Sequence, residues 1–191
     1  MNGRRNGAIP DEVLDRLLAR HRALHLLEKP LVEADYRHAL DVWEWTLRLD
    51  PEAGAAVQIA ALFHDIERIF TEAEVRSEQA VAEYDGYKAR HAARSARITE
   101  RVLAEEGIDP VLREQASALI AGHDQPGRHA EGSDAALLED ADALSFLSLN
   151  RAGYLAYYGE DQARRKMAWT LARLSRRGRE HLARLGLPPT L

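Results

Sequence analysis

The sequence of 191 residues contains no cysteine, which excludes disulfides, thiol nucleophiles, cysteine-bound zinc and cysteine-ligated iron–sulfur clusters. Any metal must therefore be held by histidine and carboxylate, and the chain has 8 His and 31 Asp and Glu residues. No apolar run is long enough to span a bilayer, and no apolar signal-peptide core follows the basic N-terminal residues. We therefore expect a cytoplasmic protein with no membrane partner.

Lysine is also scarce, since only Lys29, Lys88 and Lys166 are lysines among the 26 basic residues. The net charge of −5 argues mildly against a protein that coats nucleic acid. Residues 162–184, however, contain eight basic side chains against the single acidic residue Glu180. We favour a solvated basic face on a terminal helix, and a site for phosphate or nucleic acid is the alternative.

The hydrophobic pattern predicts an all-α, single-domain helical bundle. Apolar residues recur at helical spacing along almost the whole chain, and no segment alternates with the period of a strand. We expect residues 1–30 to form an N-terminal helix on a core of residues 31–150. Residues 151–191 are predicted to add basic helices to the same domain.

Some segment boundaries follow from local composition. The segment of residues 55–70 begins with a nearly continuous apolar run. This run predicts a central helix that is buried on most sides. Residues 134–149 and 167–185 are each predicted to form one helix. Residues 84–87 and 125–133 are predicted to be loops.

Buried polar residues provide the main indication of chemistry. His64 and Asp65 stand side by side near the end of the most apolar predicted helix, where an imidazole and a carboxylate are costly unless paired or metal-bound. Asp142 likewise lies inside an apolar helix, and His38 lies on the helix before His64. Imidazoles and carboxylates from separate helices can build a metal site in a cysteine-free bundle. These four residues are therefore candidate metal ligands.

The order of these residues resembles the signature of the HD superfamily of metal-dependent phosphohydrolases. The local sequences YRHAL around His38, ALFHDIE around His64 and Asp65, and DADAL around Asp142 match it as well. The resemblance covers about residues 31–149. It implies an HD-type helical bundle in which these four residues hold one divalent metal.

Two further histidines extend the resemblance. In two-metal HD proteins, such as the HD-GYP phosphodiesterases, two histidines lie between the His-Asp pair and the final aspartate. His91 and His123 occupy that interval here, so the resemblance implies a second metal that they hold and that Asp65 bridges. The alternative is that both are surface or cap histidines. The remaining histidines are predicted to lie at the surface or in loops: His21, His25, His129 and His181.

The chain is also similar to an uncharacterised branch of HD-like proteins, a domain of unknown function. The shared features include Gly86-Tyr87, Glu139-Asp140 and the C-terminal segment SRRGRE. This second resemblance makes Asp140 a rival of Asp142, because the two side chains point about 200° apart on a helix and only one can face a metal. We favour Asp142 as the ligand and give Asp140 a capping or outer role.

The resemblance implies hydrolysis by a hydroxide formed from metal-bound water. The candidate catalytic residues are Asp65, Glu67 and Arg68. The candidate substrate-binding residues flank His91 and are Lys88, Arg90 and Arg94, because a phosphate near the second metal needs cations. A solvated surface position is the alternative for Glu67, Arg68 and these three cations.

The sequence therefore predicts a phosphohydrolase or phosphodiesterase that acts on a nucleotide or another small phosphorylated metabolite. It would carry one or two divalent ions, with Fe, Mn, Co and Mg as the candidates. Two alternatives stay open. One is an HD-type di-iron oxygenase that cleaves an organophosphonate or a polyol, since its ligand set is the same. The other is a non-catalytic module that binds RNA or protein.

Overall fold

The computed structural model describes residues 9–70, 84–124 and 129–186, and within these ranges it is all-α and has no strand. The predicted fold class is confirmed. The first elements are α1 (Asp11–Leu24), α2 (Pro30–Leu49), α3 (Ala55–Phe63) and a 3-10 turn (Ile66–Phe70). They are followed by α4 (Tyr84–Glu105), α5 (Pro110–Gly122), α6 (Asp134–Ser145), a π-helical turn (Phe146–Asn150), α7 (Arg151–Tyr158), α8 (Glu160–Arg173) and α9 (Arg176–Arg184).

The short helix α3 lies at the centre of the bundle. Every one of its residues is buried, because the segment is apolar on all sides and can be shielded from water only by other helices. It packs against α2, α5 and α6, and α1 adds the fully buried Leu17 to the same hydrophobic core. Among the described residues, no helix combines the length and apolarity needed to cross a bilayer.

The sequence predicted one helix over residues 55–70, but the helix breaks at the His64-Asp65 pair. Helix α3 ends at Phe63, and the backbone then tightens into a 3-10 turn in which Arg68 N donates to Asp65 O at 2.9 Å. This turn places the Arg68 guanidinium beside the Asp65 carboxylate, with Nε 2.6 Å from Oδ2. The break therefore falls at the residues that carry the predicted chemistry.

Three other predicted boundaries were wrong. Residues 84–87 begin α4 and do not form a loop, and the 134–149 helix passes into a π-helical turn after Ser145. The predicted helix over 167–185 is broken between α8 and α9, because Ser175 caps α9 by accepting a hydrogen bond from Gly178 N at 3.2 Å. Residues 71–83, and the part of the 125–133 loop before His129, lie outside the described residues.

Asp140 fixes this break between α8 and α9. Its carboxylate accepts hydrogen bonds from Ser175 N, at 2.8 Å, and from the Ser175 hydroxyl. Gly178 lies against the same carboxylate, and a Cβ built on Gly178 would be 2.7 Å from Asp140 Cγ and 2.7 Å from Leu174 Cδ2. The close packing of α9 on α6 therefore requires a glycine at position 178.

We expect Gly178→Ala to lower the free energy of unfolding by about 1 to 3 kcal/mol, because the added methyl overpacks against a carboxylate that is already held in place. Gly153→Ala in α7 is the matched control, since no atom lies within 4 Å of the added Cβ. The control should be neutral or stabilising by up to about 1 kcal/mol through helix propensity. Urea unfolding of both variants measures the difference, and equal effects would contradict this account of the α6–α9 contact.

Candidate metal centre

Six side chains that are distant in the sequence meet inside the bundle. Five are buried and the Asp65 side chain is only 10% exposed, and together they come from α2, the turn after α3, α4, the turn after α5, and α6. They are His38, His64, Asp65, His91, His123 and Asp142. The six residues that the HD resemblance singled out as ligands thus lie in one cluster.

The first part of the cluster is formed by His38, His64 and Asp65. Each offers one ligand atom, and these atoms all lie within 4.8 Å of one another. Asp142 joins them, since its Oδ1 is 3.1 Å from His38 Nε2 and 3.8 Å from His64 Nε2. This group of two imidazoles and two carboxylates could hold one metal ion.

The second part of the cluster shares Asp65 with the first. Asp65, His91 and His123 also offer ligand atoms that lie within 4.8 Å of one another. Asp65 Oδ1 is 2.7 Å from His91 Nε2 and 3.9 Å from His123 Nε2. Two adjacent groups of ligand type therefore have one carboxylate in common.

The four histidines are oriented alike. In each of them Nδ1 is bound by a group beside the cluster, which leaves Nε2 directed at the carboxylates, as expected for metal-binding imidazoles. The anchoring groups are the Ser145 hydroxyl for His38 (2.9 Å), the Ala61 carbonyl for His64 (2.9 Å), the Glu67 carboxylate for His91 (2.7 Å) and the Ile120 carbonyl for His123 (2.7 Å).

His64 tests whether the cluster fits a metal ion. Its Nδ1 donates to a carbonyl, so Nε2 carries the lone pair, yet Nε2 is buried and has no hydrogen-bond partner among the described residues. Nε2 lies 3.8 Å from carboxylate oxygens of both Asp65 and Asp142. A buried acceptor without a partner costs about 1 to 3 kcal/mol, and a cation between these atoms would remove that cost. The donor set therefore fits a divalent metal.

The protonation states also suit metal binding. Burial lowers the pKa of His64 to about 4 and lowers the pKa of His123, so both imidazoles are neutral at pH 7. Burial opposes ionisation of Asp65 and Asp142, but Arg68 beside Asp65 and Arg173 beside Asp142 hold both carboxyl pKa values well below their usual range. Neutral imidazoles and ionised carboxylates are the forms that bind metals.

His91 is the exception. Burial alone would lower its pKa, but the carboxylates of Asp65 and Glu67 outweigh burial and raise it. The ring lies between these two carboxylates, with Nε2 and Nδ1 each at 2.7 Å from a carboxylate oxygen. A metal bound by Nε2 must displace a proton at this position, so metal binding there is expected to weaken as the pH falls.

Buried basic residues surround the cluster, and the sequence did not reveal their role. Arg173 lies in the run predicted to be a solvated basic face, but it is only 7% exposed and pairs with Asp142. Its Nη1 also lies 3.9 Å from Asp124, a buried carboxylate that pairs with Lys88 Nζ at 2.6 Å. A carboxylate in an apolar helix, such as that of Asp142, needs a cation as a partner. This requirement was the one feature of the sequence from which a buried arginine such as Arg173 could have been predicted.

Glu67 and Arg68, the candidate catalytic residues that follow Asp65, each bind one of the candidate metal ligands. Glu67 is buried and accepts hydrogen bonds from His91 Nδ1 and from Arg94 Nε, each at 2.7 Å. Arg68 Nε donates to Asp65 Oδ2. Glu67 therefore orients an imidazole and Arg68 holds a carboxylate. A cavity opens beside the cluster, and of these two residues only Arg68 lines it.

Of the three candidate substrate-binding cations, one lines this cavity and two do not. Lys88 precedes His91 by three residues, shares its helix face and lines the cavity. Arg90 is exposed and does not line the cavity, because an adjacent helical residue points about 100° away. Arg94 shares the face of His91 but binds Glu67 and does not line the cavity either. The geometry therefore favours Lys88 over the two arginines as a substrate contact.

The rivals Asp140 and Asp142 point in different directions. Asp142 faces His38 and His64, whereas Asp140 binds Ser175 at the start of α9. This arrangement agrees with the helical angle between them, and it puts Asp142 in the ligand position and Asp140 in the capping position.

The prediction that His21 and His25 lie at the surface or in loops was wrong for His21, whereas His25 lies in a bend directly after α1 but is buried. His21 is 1% exposed and His25 is 7% exposed, and both rings pack against Tyr36. His21 also contacts the edge of Phe63, the residue before His64. His25 is the residue directly after α1, and its Nδ1 lies 2.7 Å from the His21 carbonyl oxygen, so the two residues share one environment although only His21 is on the helix. His129 and His181 are half-buried.

A cavity of about 610 Å³ opens beside the cluster. Its wall includes His38, Asp65 and Asp142, and its remaining lining comes from α2, the 3-10 turn, α4, the π-helical turn, α7 and α8. Its charged lining combines the cations Arg37, Arg68, Lys88 and Lys166 with the carboxylates Glu33, Asp35, Asp65 and Asp142, and its aromatic residues are Phe146, Tyr154, Tyr157 and Tyr158. A small anionic molecule placed there would touch the candidate metal ligands.

Glu139 is a buried carboxyl on α6, three residues before Asp142. Burial and the nearby carboxylates of Asp140 and Asp142 raise the pKa of Glu139 to about 7, an effect that Arg173 only partly offsets. A pKa raised on folding makes the protonated carboxyl the stabilising form. Its contribution is present below the usual pKa of 4.5 and is lost as the pH rises through about 7.

We expect Glu139→Gln, which keeps the side chain neutral, to match the stability of the wild type near pH 5 and to exceed it near pH 8 by about 2 kcal/mol. Urea unfolding at several pH values, without added metal, measures this difference. A difference that stays constant over this pH range would contradict the raised pKa.

The second ligand group predicts a change in metal content. We expect the wild-type chain to bind about two divalent ions and either His91→Ala or His123→Ala to bind about one, because the group around His38 and His64 is left intact. His129→Ala is the matched control, since His129 is half-buried, is not one of the clustered ligand residues and contacts the Gly122 carbonyl through Nε2. Elemental analysis of protein dialysed against Mn²⁺ measures the content. Unchanged content in both variants would remove His91 and His123 from the ligand set.

Comparison with known proteins gives one match. A family model described as a domain of unknown function (DUF4202) matches residues 17–191, a range that includes all six residues of the cluster. No match was found among curated proteins or among solved structures. The chain belongs to the family defined by this domain of unknown function, DUF4202.

Proposed function

We propose that this protein is an HD-type metal-dependent phosphohydrolase that acts on a small phosphorylated molecule. The observation that carries the proposal is the position of Asp65, whose carboxylate belongs to two groups of potential ligands at once. Divalent metals held there would supply an acidified water and positive charge opposite the phosphate oxygens. The first group comprises His38, His64, Asp65 and Asp142, and the second comprises Asp65, His91 and His123.

The chain order of the ligands supports the HD assignment. His38, the His64-Asp65 pair, His91, His123 and Asp142 follow one another in the order of the HD signature, and the folded chain brings all of them together. A His-Asp dipeptide alone is common. Six residues from five separate segments that converge on one interior point are a much more specific match.

The donor set favours some metals over others. Each group combines two imidazoles with at least one carboxylate, and such mixed nitrogen and oxygen sets suit Fe, Mn and Co. Mg²⁺ prefers oxygen ligands and retains several waters, so it suits the cluster least of the four candidate metals.

Residues around the ligands would prepare the site for an anionic substrate. Arg68 holds Oδ2 of Asp65 and Arg173 holds Oδ2 of Asp142, so both carboxylates keep fixed directions. Glu67 fixes the ring of His91. Four cations and four carboxylates line the adjoining cavity, and the cations would contact a phosphate and stabilise the charge that develops during its transfer.

We expect metal-depleted protein to be inactive toward phosphate esters and to recover on addition of Mn²⁺ or Co²⁺. Asp65→Ala should reduce both metal content and phosphate release, the latter by about 10³-fold or more, because the shared carboxylate is lost. Asp161→Ala is the matched control, since Asp161 is exposed in the first turn of α8. Phosphate release from a panel of mono- and diesters, together with elemental analysis, measures both effects.

Two results would contradict the proposal. Metal-loaded wild type that releases no phosphate from any ester would leave a binding module as the explanation. Oxygen consumption by iron-loaded protein with an organophosphonate or a polyol, and no ester hydrolysis, would establish the oxygenase alternative, which uses the same ligands.

A further inference from the structure

Lys166 differs from the other cations that line the cavity. Arg37 Nη2 lies 2.6 Å from a carboxylate oxygen of Glu33, and Arg68 and Lys88 are paired with Asp65 and Asp124. In the part of the chain that the structure describes, no carboxylate oxygen lies within 4.0 Å of Lys166 Nζ. The Lys166 ammonium thus faces the cavity without a counter-ion of its own.

Aromatic rings hold this ammonium in place. Nζ of Lys166 lies 5.2 Å from the centre of the Phe146 ring and 4.8 Å from the centre of the Trp169 ring. Burial and the positive charge of Lys88 lower the pKa of Lys166 to about 7, and the carboxylates of Asp142 and Asp124 only partly offset this lowering. An anion in the cavity would supply that charge.

A row of aromatic rings continues from Lys166 toward solvent. Phe146 is 5.5 Å from Tyr154, Tyr154 is 4.4 Å from Tyr158, and Tyr158 is 4.7 Å from Tyr157, between ring centres. All four residues line the cavity, and Tyr157 at the outer end is 47% exposed. The cavity therefore combines the Lys166 ammonium and the candidate ligands Asp65 and Asp142 with an aromatic wall that leads outward to Tyr157.

We propose that this cavity selects a phosphate ester of a planar aromatic group, with the phosphate at Lys166 and the aromatic ring against the row Phe146–Tyr154–Tyr158–Tyr157. The proposal rests on the phosphohydrolase function and adds the substrate class. A bare phosphate would not reach along the aromatic row, and an uncharged aromatic molecule would bring no anion to Lys166. An aromatic phosphate ester uses both ends of the cavity.

Binding of phosphonates tests the proposal without turnover. We expect Mn²⁺-loaded protein, kept free of oxygen, to bind phenylphosphonate and to bind methylphosphonate at least about threefold more weakly, since the methyl group cannot stack on the tyrosines. Tyr157→Ala, a change at an exposed position, should reduce this preference. Calorimetry measures both affinities, and equal affinities for the two phosphonates in the wild type would overturn the aromatic part of the proposal.

The three lysines of the chain provide matched variants for the anionic part. Lys166→Met removes the charge and should weaken phenylphosphonate binding about tenfold or more, and Lys166→Arg should retain most of it. Lys29→Met, at an exposed lysine that does not line the cavity, should bind like the wild type. Wild-type affinity in Lys166→Met would overturn the assignment of Lys166.

A measurement on the wild type removes any dependence on the folding of the variants. Phenylphosphonate should slow acetylation of Lys166 but not of Lys29, as followed by mass spectrometry, and equal rates with and without the ligand would contradict the proposal.

The outcomes also separate the two proposals. If Lys166→Met hydrolyses aromatic phosphates with an unchanged KM, the Lys166 site is refuted and the phosphohydrolase function stands. If phosphonate binding depends on Lys166 but no phosphate ester is hydrolysed, the phosphohydrolase function is refuted and the Lys166 site stands.

Discussion

The buried carboxylate of Asp65 is the constraint on which the arrangement of the whole centre depends. Its removal from water is compensated by Arg68 on one oxygen and by the histidine cluster on the other. To make both contacts, α3 must end before His64 and the chain must tighten into a 3-10 turn. Helices α2, α4, α5 and α6 then close around this turn, and each contributes its polar side chain to the same interior point.

Charge balance explains the residues that surround this point. Asp65, Asp124 and Asp142 are buried carboxylates, and each has a cation as a partner, namely Arg68, Lys88 and Arg173. A buried carboxylate without such a partner would be destabilising by several kcal/mol. The compensation is local, and the Lys166 ammonium is a distinct feature of the cavity because no carboxylate oxygen of the described residues lies within 4.0 Å of its Nζ. The chain therefore has one region suited to cations and, directly beside it, one suited to an anion.

The sequence could predict much of the candidate centre, because polar residues in apolar helices reveal themselves locally. His38, His64, Asp65 and Asp142 stood out for that reason, and the HD resemblance added His91 and His123. The roles of other residues could not be predicted, since each depends on a partner far along the chain. Glu67 binds His91 on α4, Asp140 binds Ser175 before α9, and Arg173 reaches Asp142 across 31 residues. His21 and His25 are buried because α2 covers them, which the composition of α1 does not reveal.

The sequence by itself determined the fold class and the central place of α3, because helical periodicity and continuous apolarity are local properties that any compact packing must respect. It also singled out some of the polar residues that need compensation in the interior, namely His64, Asp65 and Asp142. The tertiary structure alone decided how they are compensated, where helices break to allow it, and that Lys166 and Arg173 of the basic C-terminal run turn inward. Those outcomes depend on the rotation and distance of packed helices, and a side chain that is solvated in one orientation becomes a buried ion-pair partner in another.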